Sequence, residues 1–193
     1  MNHIPTPCRA EMMEKKSRFI ALARPCLSEA RFHQVLESVR QEFSDARHIA
    51  WAYRIRTKDG IRVRVNDAGE PKGTAGRPIF AHIEGNDLIN TAIFVIRYFG
   101  GIKLGAGGLV RAYGGIAGDL IKTARIEEWI ETVQFRVSLS YAHQKQLEYG
   151  LADYSAKIIE KNFGQKLDFL IEAPLADKER LLADLSFLSA CPD

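Results

Sequence analysis

No run of 18 apolar residues occurs in the 193-residue chain, so the sequence predicts no membrane-spanning helix. The opening Met1-Asn-His-Ile-Pro-Thr-Pro7 has neither the basic start nor the apolar core of a signal peptide, and the expected location is the cytoplasm. Cysteine is scarce. Cys8, Cys26 and Cys191 lie far apart and form no CxxC pair, a spacing that speaks for free thiols in a reducing compartment rather than for a disulfide or a zinc site. No metal and no cofactor are expected. Both common nucleotide fingerprints are missing: Gly105-Ala-Gly107 would need glycine or alanine at 110, where Val110 stands, and no glycine is followed by the Lys-Ser/Thr of a P-loop. Nothing in the sequence supports an NAD or ATP site.

Glycine is what the chain has in concentrated form. Ile93 to Gly115 joins a short apolar run to seven glycines, two arginines and one lysine, and reads as strand, loop and helix. Leu109, Val110, Tyr113, Ile116, Leu120 and Ile121 recur at helical spacing, so a helix begins among the glycines. Its unpaired N–H groups and the positive end of its dipole would face the loop, where Lys103 and Arg111 could help to hold an anion. Tight turns and close helix packing use the same glycines with no ligand.

Asn66 to Pro78 repeats this arrangement, with Thr74 as candidate N-cap of a short helix carrying Ile79, Phe80 and Ile83. The predicted phosphate- or nucleic-acid-binding set is therefore Gly73, Thr74, Arg77, Lys103, Gly105, Gly107, Gly108 and Arg111. Asp67 and Glu70 sit in the same loop. They would repel phosphate, could hold a cation, or could work with His48 as acid/base groups in a polar cleft. A structural or surface role for His48 stands beside that reading, and no catalytic residue is assigned.

Charge is uneven. Residues 1–125 carry 20 Lys/Arg against 12 Asp/Glu, and residues 126–193 carry 7 against 12, so a polyanion should meet the first part. The elements expected there are a strand over Arg18–Pro25, a helix over Glu29–Phe43 capped by Ser28, and a hairpin of 46–56 with 61–65 bearing a basic outer face. Helices near 75–86 and 106–124 follow, all three on one face of a sheet. Beyond Arg125 glycine becomes rare and the pattern is βαββα, with a boundary near Glu127 to Thr132.

Asp67 to Pro78 (DAGEPKGTAGRP), Arg97 to Gly114 (RYFGGIKLGAGGLVRAYG) and His48 with the aromatics after it resemble the YigZ/IMPACT family over residues 17 to 125. The resemblance implies an α+β protein: residues 1–127 like domain 2 of ribosomal protein S5, and 128–193 a ferredoxin-like domain reminiscent of elongation factor G. It leaves Ala190 to Asp193 too short for a last strand, as if truncated. It also implies an RNA- or ribosome-associated protein linked to translation regulation. The RWD domain of eukaryotic relatives has no room in this chain, so their partner is not carried over. An enzyme or binding protein for a phosphorylated small molecule and a protein-interaction module stay open, as do catalysis and oligomeric state.

Overall fold

Thr91–Tyr98 is buried at seven of its eight positions, with the apolar run Ala92 to Ile96 between Thr91 and Arg97 and a half-exposed Tyr98 at its end, and the sheet is built around it. The computed structural model describes residues 1–189. In chain order the elements are β1 (Asn2–His3), β2 (Cys8–Glu14), β3 (Ser17–Pro25), α1 (Glu29–Glu42), β4 (His48–Thr57), β5 (Gly60–Asn66), α2 (Gly76–Gly85), β6 (Thr91–Tyr98), α3 (Gly105–Thr123) and β7 (Glu127–Glu128). There follow β8 (Thr132–Leu139), α4 (Gln144–Ala152), β9 (Lys157–Phe163), β10 (Leu167–Pro174) and α5 (Lys178–Ser189). The chain divides into two units between Trp129 and Ile130. It is a mixed α and β protein.

The first unit holds a sheet of order β2-β3-β6-β4-β5, antiparallel throughout. A strand apolar on both sides must be covered on both sides. Ile93 and Val95 accordingly pack under α2 and α3 with Phe19, Ile79 and Tyr113, while Phe94 and Ile96 pack with Phe32, Leu36 and Val39 of α1. This corrects the expectation of three helices on one face: α1 covers the face opposite α2 and α3. Ser28 does cap α1, its Oγ accepting from Arg31 N–H at 3.1 Å. Strand β2 begins the sheet earlier than the sequence reading did, with Cys8, Ala10 and Met12 turned to the core and Arg9, Glu11 and Met13 to water.

The hairpin of β4 and β5 has no single basic face. Register sets Arg54 opposite Val63 and Ile55 opposite Arg62, so the arginines of the two strands point to opposite sides. Arg54 pairs with Asp87 at 2.8 Å and Arg62 with Glu29 at 2.9 Å.

In the second unit the strand order is β8-β10-β9. Leu147, Leu151 and Leu181 cover Leu167, Phe169 and Ile171 on one face. Glu172 accepts from Gln134 at 3.1 Å and Arg136 approaches Glu160 at 3.8 Å on the other. Cys191 and the short tail from Ala190 to Asp193 lie outside the described residues. Cys8 and Cys26 are free thiols, and burial pushes Cys26 up to about 11, which leaves it inert at neutral pH.

Candidate anion-binding site

The loop between β5 and α2 is organised by Asp67. Its Oδ2 accepts from Gly73 N–H at 2.8 Å, and its Oδ1 from the N–H groups of Ala75 and Gly76 at 3.0 and 2.8 Å. Burial pushes this carboxyl up, but the three donations outweigh it and hold its pKa below the ordinary 3.8. The anion at the α2 N-terminus is thus the protein's own. Thr74 is not the N-cap; its hydroxyl donates to Pro71 O at 2.7 Å, and Ala75 occupies the cap position. Arg77 is exposed on the first turn of α2.

His48 Nδ1 lies 2.8 Å from the carbonyl of Ala68. A carbonyl only accepts, so Nδ1 carries the proton and the ring pins the loop to β4. Glu70 reaches inward instead, accepting from Arg97 Nη1 and from Tyr113 Oη, both at 2.8 Å. Burial first, then the charge and hydrogen bond of Glu70, push the Tyr113 phenol far up, so it stays protonated and donates. His48, Asp67 and Glu70 are therefore each engaged in holding the loop. Among the described residues no three of His, Cys, Asp and Glu gather as metal ligands.

The loop from β6 to α3 approaches from the other side. A Cβ on Gly100 would stand 2.0 Å from the carbonyl carbon and oxygen of Lys16, so only glycine lets this segment pass beside the β2–β3 turn. Gly105 takes a φ of +71° and starts α3. No side chain caps α3 and its first turn holds no acid. Lys103 is exposed just before it, and Arg111 leans back so that Nη1 would lie 3.8 Å from a Cβ on Gly107. Asp119 does not hold Arg111; it accepts from Lys122 at 2.8 Å.

Both glycine loops thus meet at one cleft of about 320 Å³, lined by Glu70 and Pro71 from the first and Lys103, Gly105 and Ala106 from the second, with Arg97 and Phe99 at its floor and wall. Of the predicted residues this cleft unites Glu70, Lys103 and Gly105; Gly107, Gly108 and Arg111 occupy the first turns of the same helix. Gly73, Thr74, Arg77, His48 and Asp67 do not line it. Sequence reasoning passed over Arg97, Phe99 and Tyr113. One signal was available: an arginine inside an otherwise apolar central strand must find a buried acid.

The Impact N-terminal domain model matches residues 15–121, more than half of the chain and every residue of this cleft. The chain belongs to the IMPACT family. The IMPACT family member YigZ of Escherichia coli is 32% identical over 177 residues, 91% of this chain and 86% of that protein. An IMPACT family member of Thermus thermophilus, from the pol 5′ region, is 45% identical over 126 residues, 64% of this chain and 66% of that protein. A crystal structure of a hypothetical protein superposes with a TM-score of 0.71 at 30% identity, covering 97% of this chain and 92% of that one. Among the described residues no helix is long and apolar enough to cross a membrane.

Proposed function

We propose that this IMPACT family protein is a cytosolic RNA- or ribosome-associated protein of translation control, and that it holds a backbone phosphate of single-stranded RNA at the start of α3. One observation carries the reading. Ser28 caps α1 and Asp67 caps the N–H groups of α2, whereas α3 opens uncapped onto a cleft beside Lys103. Such an end offers backbone donors and positive potential to an anion, with Lys103 and Arg111 adding charge. The excess of 20 Lys/Arg over 12 Asp/Glu in residues 1–125 supports a polyanion. The link to translation rests on the family resemblance.

We also infer that residues 1–127 are ribosomal protein S5 domain 2-like and that 128–193 are ferredoxin-like. The packing of α2 and α3 together on one face of an antiparallel sheet supports the first, and the central place of β10 between β8 and β9 supports the second.

A second reading, an enzyme or binding protein for a phosphorylated small molecule, draws on the fixed floor of Glu70, Arg97 and Tyr113 under a cleft within the size range of ligand pockets. Affinity purification from cell extract with and without RNase separates the two. RNA-association predicts co-purifying RNA and ribosomal proteins that vanish with RNase; a preparation free of RNA that retains a small phosphorylated compound would reverse the order.

A further inference from the structure

Two more clefts adjoin the one at α3. The next, of about 320 Å³, is lined by Asp45, Arg47, Arg97, Tyr98 and Phe99, and so shares Arg97 and Phe99 with the first. The third, of about 280 Å³, shares Arg47 with the second and extends to Arg40 and Ala68. The three clefts thus follow one another across the first unit, each sharing a lining residue with the next.

The row of clefts has a repeating chemistry. Lys103 stands exposed in the first cleft and Arg47 where the second meets the third, and among the described residues neither makes an ion pair. Phe99 lies between them, 53% exposed. The Arg97 guanidinium lies 5.4 Å from the Phe99 ring centre and 5.6 Å from that of Phe19, so the Phe99 ring is held by a cation on its inner side and open on its outer one. Arg97 lines both clefts, is more than nine-tenths buried, and its Nε–H has no acceptor. The two acids of these clefts are occupied by protein donors: Asp45 accepts from Tyr98 Oη at 2.7 Å, and Glu70 from Arg97 and Tyr113.

Cation, open aromatic face, cation is the order in which a single strand presents phosphate, base, phosphate. A duplex hides its base faces, and an acidic peptide has no flat ring for each charge. We propose that the three clefts form one groove for single-stranded nucleic acid, running from Lys103 across Phe99 to Arg47, with a base stacked on Phe99 and a second phosphate at Arg47. This rests on the phosphate reading of the α3 end and extends it to residues that reading does not need.

The test uses the full chain and a fluorescein-labelled ten-nucleotide single-stranded RNA, titrated by polarisation across a salt series. Phe99→Ala is expected to weaken binding about tenfold, the scale of one lost base stack. Phe99→Trp should keep wild-type affinity, and the added indole should be quenched on binding while the native tryptophans of the wild type are not. Arg47→Ala should make the slope of log K against log salt shallower by about 0.7, one contact on a single strand. If Arg47→Ala and Phe99→Ala bind as wild type does while Lys103→Ala weakens, the groove is overturned and the α3 reading stands. If polyglutamate competes as well as RNA, the occupant is an acidic peptide and the proposal falls. If the wild type binds no RNA, both fall together.

Discussion

Glu70 and Arg97, 27 residues apart, meet at 2.8 Å with side chains only 4% and 7% exposed. The pair ties the first glycine loop to the central strand, and Tyr113 completes it from α3. Removing one partner of a buried pair leaves the other charge without compensation, at a cost of about 3–5 kcal/mol. Glu70→Leu is thus expected to lower the unfolding free energy by that amount, seen as a lower denaturant midpoint at an unchanged m-value. Tyr113→Phe removes one hydrogen bond to a charged group and should cost about 2 kcal/mol. Equal losses in urea titrations of the two variants would contradict the central place given to the ion pair.

Asp67 makes stability depend on acid. Its folded pKa lies below the ordinary 3.8 because three N–H groups donate to the ionised form, so the charged state belongs to the fold. The contribution is complete above about pH 5 and is lost as pH falls below 3.8 through the folded value. Asp67→Asn, which cannot ionise and whose amide nitrogen cannot accept from a backbone N–H, should lose about 1–3 kcal/mol at pH 7 and show a flatter acid limb than wild type. Parallel acid-unfolding curves for the two proteins would count against the capping role.

Gly100 is set by contact and not by torsion. A Cβ there would strike the Lys16 carbonyl at 2.0 Å and Ser17 N at 2.5 Å, both backbone. Gly100→Ala must push the β6–α3 loop off the β2–β3 turn, with an expected loss of about 2 kcal/mol or more and a weakened anion site. Gly115→Ala on α3, whose Cβ would meet nothing within 4 Å, should instead be neutral or stabilising. Thermal melts of both variants test the contrast.

The elements were legible where one periodicity governed. Phe32, Leu36 and Val39 mark α1, and Ile93 to Ile96 mark β6. The apolar run of β6 does demand a helix layer on each face, but which helix takes which face was not legible, because it follows from the register of β6 with its neighbours and not from the periodicity of α1. Strand β2 alternates with Cys8, Ala10 and Met12 inward and Arg9 and Glu11 outward, yet its period is partly masked by the small Ala10 and by Met13, an apolar residue on the solvent side. In the site, the glycines located both loops, but composition does not tell which N–H groups the protein already uses. Asp67, six residues before Gly73 and nine before Gly76, fills one loop from within; nothing comparable stands before Gly105. Arg97 and Phe99 were inside the quoted motif but read as strand end and loop.

The most direct measurement of the phosphate site at α3 is the salt dependence of single-stranded RNA binding for wild type, Lys103→Ala and Arg77→Ala. Lys103 stands at the open helix end, whereas Arg77 lies on the helix whose donors Asp67 occupies. Lys103→Ala should weaken binding to all sequences alike and make the slope of log K against log salt shallower by about 0.7, with Arg77→Ala within twofold of wild type. A salt-insensitive affinity, or equal slopes for wild type and a folded Lys103→Ala, would contradict the account.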